Sequence, residues 1–148
     1  MTPQEQLVAE LDAAARRIEA AIAGLDDEQA SRPAPDGWSV KDHLTHLTFW
    51  HEMRFFEMSR IARGGRWGFP QVNTDEINEQ IAEGRRGIAL EQVVADLHFA
   101  RDMVKQAVLS APEARLAPTL FAEVGPDGAV HDNEHGALIE AWRRQEGI

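Results

Sequence analysis

Between Thr2 and Leu25 the apolar residues Leu7, Leu11, Ala14, Ile18, Ile22 and Leu25 recur in steps of three and four. That spacing places them on one face of an α-helix, and such a face has to be buried against something. The start is specified too. Thr2 is placed to cap, Pro3 suits the first helical position, and Glu5 completes a capping box. Gly24 and the run DDEQASRPAPDG end the helix in a loop, with Pro33 and Pro35 barring helical continuation. A chain that opens this way needs partner helices.

The partners are legible further on. A second helix starts at Ser39, with Asp42 three residues later, and runs to about Arg63 with Val40, Leu44, Leu47, Met58 and Ile61 as its core stripe. Gly64, Gly65, Gly68 and Pro70 break the pattern. The stretch NTDEINEQIAEG offers a capped start at Asn73 with Glu76 and reads as a shorter helix holding Ile77 and Ile81, interrupted by Gly84 and Gly87. Leu90, Val94, Leu97, Val104 and Val108 restore the helical period until Pro112 closes it. APTLFAEVGPDG, punctuated by Pro118, Gly125, Pro126 and Gly128, reads as a linker or bend in which TLFAEV is too short and isolated to be a strand. The last helix spans about Val130 to Arg144. The expectation is one all-α domain over 1–148: a four-helix bundle with a short helical connector between its second and third long helices.

Composition bounds the partners. With 25 acidic and 15 basic residues the formal charge is −10, so a phosphate backbone is repelled on average. Arg60, Arg63 and Arg66 form the densest basic patch, and it is short; no nucleic-acid partner is expected. No apolar run is long enough for a membrane span, and the start does not resemble a signal peptide, so neither a membrane partner nor export is expected and the cytoplasm is the default. The absence of cysteine removes disulfides, a thiolate nucleophile and Cys-based zinc sites.

The chain has six histidines, and GWSVKDHLTHLTFWHE holds His43, His46 and His51. In the last helix His131 and His135 are four apart and lie on one face, which continues through Leu138 and Trp142. A stripe ending in Leu and Trp should face the core and aim both imidazoles inward. Imidazoles at i and i+4 are a common way for a helix to bind a transition metal. The competing reading is a pair of buried histidines bonded to neighbours, since a bare HxxxH also arises by chance; the spacing of HDNEH is not that of HExxH. A third ligand has to come from the second helix. There His51 falls near the centre of the Val40–Leu44–Leu47 stripe, His46 lies to one side with Trp50 and Met53, and His43 lies between. Periodicity does not choose among them. His98, beside Val94, reads as a boundary histidine.

Taken in order, GWSVKDHLTHLTFW, VNTDEIN and HDNEHGALIEAW resemble the DinB/YfiT-like superfamily of metal-binding four-helix bundles, most closely its ClbS/DfsB-type branch. The resemblance covers nearly the whole chain. It implies a long crossover between the second and third long helices and a divalent metal held by three histidines. His46 matches the histidine of the family's HL pair before the Trp, and His131 and His135 match its last-helix pair, leaving His43 and His51 as boundary residues. Asn78 matches an asparagine of the family's DxIN stretch, with a structural or pocket role. One departure is visible: Gly125, Pro126 and Gly128 crowd His131, so the last helix is expected to begin almost at the site, with His131 loosely held or displaced.

Three neutral imidazoles on Zn²⁺ or Ni²⁺ leave up to three positions for water or substrate. Such a metal brings the pKa of water to about 7, or holds a low-molecular-weight thiol as its thiolate. The resemblance implies relatives that are thiol-dependent transferases and isomerases, and others that protect cells from a genotoxin. The leading expectation is therefore a metal-dependent enzyme, a thiol-dependent transferase or a hydrolase, acting on a small reactive molecule or toxin. The alternatives are a non-catalytic binding or sequestering bundle, and a bundle whose histidines are structural. No general base is assigned: Glu134 is about 100° around the helix from His135, while Asp132 and Glu123 are unsupported. Trp50 is a pocket candidate beside a plainer reading as core. A homodimer through Trp67 and Phe69 is a further expectation.

Overall fold

The structure, a computed structural model, describes residues 1–65, 73–116 and 128–148. Among these residues all regular structure is helical: α1 (Pro3–Ile22), α2 (Asp27–Ala30), α3 (Val40–Ala62), α4 (Thr74–Arg85), α5 (Leu90–Ser110), a 3-10 turn at Glu113–Arg115, and α6 (Gly128–Glu146). The region TLFAEV, with Glu123, and the loop bearing Trp67 and Phe69 lie outside the described residues.

The helix starts follow the caps written in the sequence. Thr2 Oγ1 accepts from the Glu5 amide at 3.1 Å while the Thr2 amide donates to Glu5 Oε2 at 2.7 Å. Ser39 and Asp42 make the same exchange at the head of α3, at 3.1 and 3.0 Å, and Asn73 Oδ1 accepts from the Glu76 amide at 3.2 Å before α4. Each bond satisfies an amide that the first helical turn leaves without a partner. The expected loop after Gly24 contains one extra turn, α2, because Asp26 and Gln29 form their own capping box. That turn also supplies a cap elsewhere. Ala89 offers α5 no side-chain cap, and Asp27 Oδ1 accepts the Leu90 amide at 2.7 Å instead.

The four long helices close into a ring of contacts: α3 packs on α5 and α6, and α1 packs on α6 and α5. Bonded pairs fix the directions. Arg17 meets Glu140 and Arg143 reaches the Ala21 carbonyl, so α1 and α6 run the same way. His98 faces Glu19 and Lys105 faces Asp12, so α1 and α5 run oppositely. One apolar cluster gathers Ile18, Val40, Leu44, Leu47, Val93, Leu97, Ile139 and Trp142; a second gathers Leu11, Ala14, Met58, Val104, Val108 and Ala129. On α3, α5 and α6 the two clusters are separated by buried polar residues: His51, Arg54, Arg101 and Asp132.

Two stripe assignments shift by one residue. Val93 is buried where Val94 was expected, and Ile139 is buried while Leu138 is 49% exposed. On α6 the inward line is Ala129, Asp132, Gly136, Ile139 and Trp142. Gly136 explains the shift: a Cβ there would lie 3.3 Å from Ile18 Cδ1, so α6 presses its glycine against α1 and turns Leu138 outward.

Candidate metal centre

α3 and α6 cross at their histidines. Their pairing runs antiparallel, with His43 opposite His135 and His46 opposite His131, which follows from spacings of three and four on facing helices. The ligand nitrogens of His46, His131 and His135 all lie within 4.8 Å of one another. His46 Nε2 is 2.9 Å from His131 Nε2, and His43 Nδ1 is 2.8 Å from His135 Nδ1. α6 starts at Gly128, three residues before His131, and His131 lies within the cluster rather than displaced from it. His43 and His51 are buried too, not boundary residues, whereas His98 is exposed beside Glu19 at 3.3 Å, as a boundary histidine should be.

Burial keeps these imidazoles neutral. It is the largest influence in each case and lowers His46 to about 4, His135 to about 3 and His131 to about 2, with the neighbouring imidazoles and, for His46 and His131, the Arg54 charge adding to the effect. His43 is lowered as well, again by burial, against the opposing pull of Asp36 and Asp42. Neutral imidazole is the ligand form. Two nitrogens bound at ordinary metal–nitrogen lengths lie about 2.9–3.4 Å apart at octahedral to tetrahedral angles, and the 2.9 Å between His46 and His131 falls in that range. The three imidazoles together can hold a metal ion.

Two tryptophans frame the cluster. Trp50, a pocket candidate from sequence, is buried, with its ring 6.3 Å from that of His46, and its Nε1 donates to Asn78 Oδ1 at 2.9 Å. Asn78 therefore ties α4 to α3. It also stands near enough to favour a proton on His46, although His46 Nδ1 stays without a bond of good geometry among the described residues. Trp38 escaped the sequence reading. Its ring lies 5.4 Å from His43, 5.2 Å from His46 and, stacked, 6.4 Å from His135. Gly37 at φ +95° and reciprocal backbone bonds between Ala34 and the Gly37–Trp38 end of the loop swing it there.

Beside the histidines lies the buried polar layer. His51 Nε2 is 2.8 Å from Asp132 Oδ1, and Arg101 Nε and Nη2 donate to Asp132 Oδ2 at 3.2 and 3.1 Å. Burial pushes Asp132 up, but the bond from His51 and the Arg101 guanidinium outweigh it, and the carboxylate stays below its usual range. Burial likewise lowers His51 more than Asp132 raises it. The pair is thus a neutral imidazole donating to a carboxylate, and Asp132 is fully engaged rather than facing the three histidines as a free base. A signal for this layer existed: Arg101 interrupts the stripe Leu97–Val104–Val108 at a core position, and Arg54 does the same between Leu47 and Met58.

The fold and the clustered imidazoles define an all-helical protein with a three-histidine site that can hold a metal ion. The sequence profile of the DinB superfamily matches residues 10–141, and the chain belongs to that superfamily. The crystal structure of the colibactin self-resistance protein ClbS in complex with a dsDNA has the same fold: TM-score 0.78 and 13% identity, covering 97% of this chain and 98% of that one. No curated protein matches the chain in sequence. The ClbS complex overturns the expectation, drawn from net charge, of no nucleic-acid partner. A net charge averages over the whole surface, whereas contact with a duplex depends on where the charges sit. Among the described residues no helix is long and apolar enough to cross a membrane.

Proposed function

We propose that residues 1–148 form a single domain of four-helix-bundle type, in which the return from α3 to α5 is the long crossover, and that His46, His131 and His135 hold one divalent transition ion, Zn²⁺ or Ni²⁺. The observation that carries the metal reading is the convergence of three neutral imidazoles, His46 and His131 buried and His135 half-buried, with no carboxylate among them in the described residues. A bound ion of this kind supplies Lewis acidity and lowers the pKa of water or of a low-molecular-weight thiol. The chain's own part is to hold the ligands, to exclude water with Trp38 and Trp50, and to keep the imidazoles unprotonated through burial. The activity proposed is a metal-dependent transfer or hydrolysis on a small reactive molecule, a detoxifying role in the cytoplasm. No residue is assigned as general acid or base.

Elemental analysis of untagged protein is the test, beside a His46→Ala, His131→Ala double variant. About one equivalent of Zn or Ni in the wild type, lost in the variant, supports the site. A wild type that retains no ion after incubation with Zn²⁺ or Ni²⁺ and desalting overturns it and leaves the histidines structural, as their mutual hydrogen bonds would allow. A second reading, binding of duplex DNA, is favoured by one observation, the solution of a protein of this fold with dsDNA. A labelled duplex titrated with the same samples over a range of salt tests that reading, since phosphate contacts weaken steeply as salt rises.

A further inference from the structure

His43 belongs to neither the ligand set nor the core stripe, yet it is buried and its Nδ1 lies 2.8 Å from Nδ1 of His135. Two neutral imidazoles at that distance share one proton, so one nitrogen donates and the other accepts. The direction is fixed by what His135 must do. A nitrogen that binds a metal has to offer its lone pair, and Nδ1 of His135 is already engaged by His43. Nε2 is the nitrogen left for the ion, and it is unprotonated only when Nδ1 carries the hydrogen. His135 Nδ1–H then donates, His43 Nδ1 accepts, and His43 carries its own hydrogen on Nε2.

We propose that His43 is a positioning residue for the metal centre: by accepting from Nδ1–H it holds His135 in the tautomer and ring orientation that offer Nε2 to the ion. This rests on the metal reading above. A ligating histidine ordinarily gives its second N–H to a carboxylate, a carbonyl or water, and here another imidazole takes that place. Trp38 supports it, with its ring packed edge-on against His43 at 5.4 Å and stacked on His135 at 6.4 Å, so the acceptor is not free to turn away.

The test measures Zn²⁺ affinity by competition with a chromophoric chelator for the wild type, His43→Phe and His43→Gln, and reads the histidine tautomers of the wild type by ¹⁵N–¹H correlation, with and without Zn²⁺. Removing the acceptor in His43→Phe is expected to weaken binding by roughly 10- to 100-fold. His43→Gln, whose side-chain carbonyl can accept, is expected to recover most of it. The spectra should show His135 protonated at Nδ1. Binding by His43→Phe within about twofold of wild type, or His135 protonated at Nε2, overturns the proposal. A wild type that binds no Zn²⁺ overturns the metal reading itself. In that case the His135 tautomer of the metal-free protein still decides the direction of the hydrogen bond, even if His43→Phe does not fold.

Discussion

Asp132 lies next to His131 in sequence and does a different job. Its carboxylate joins three helices, accepting from His51 on α3 and Arg101 on α5 while itself on α6, and it is wholly buried. Removing one partner of a buried charged pair leaves the other desolvated and unpaired, at a cost of about 3–5 kcal/mol. Asp132→Ala is therefore expected to lower stability by about that much, read from urea unfolding of the metal-free protein. A loss below about 1 kcal/mol would mean that water replaces the carboxylate and the layer is not tightly closed. Residue by residue, legibility was uneven. His131 and His135 stood out by their spacing of four on one face, whereas helical period alone left His43, His46 and His51 equal and only the resemblance chose His46. Trp38 could not be placed from spacing, because its position depends on a glycine turn and not on a helix face.

At the scale of elements, the caps were readable because capping is local: the donor and acceptor lie three residues apart whatever the rest of the chain does. The reciprocal Ser39–Asp42 bonds begin α3, the helix that presents His43 and His46. Ser39→Ala is expected to cost about 0.5–2 kcal/mol, seen as a lower urea midpoint with an unchanged slope. No change would show that the Arg86 contacts to Asp42 hold the start of α3 unaided. The cap of α5 was not readable for a matching reason. Leu90 takes its acceptor from Asp27, far away in sequence and brought near only by folding. The one-residue shifts on α5 and α6 have the same origin, because which side of an apolar stripe is central depends on where the neighbouring helices press.

For the whole molecule, the buried imidazoles make stability depend on pH. His46, His131 and His135 fall from an ordinary 6.5 to about 4, 2 and 3 in the folded chain. Below pH 6.5 the unfolded chain binds protons that the folded chain refuses, so acid favours unfolding. The contribution is fully present above the unfolded value and is lost progressively as pH falls toward the folded ones. The urea midpoint of the metal-free protein should hold nearly level from about pH 7.5 to 6.5 and then drop as the pH falls to about 5, because the folded chain takes up the His46 proton only near 4. A flat midpoint over that range would mean that the histidines are already protonated or open to water at neutral pH.

The sequence by itself determined the four long helices and α4, the caps of α1, α3 and α4, and their approximate ends, because these rest on contacts three and four residues apart. It determined the all-helical class, because no segment carried a strand's period of two. Only the tertiary structure decided which stripe residue is central, that a polar layer divides the core, and that His43 sits against His135. Each of those depends on groups distant in the chain, where packing density and desolvation act and where local spacing carries no record.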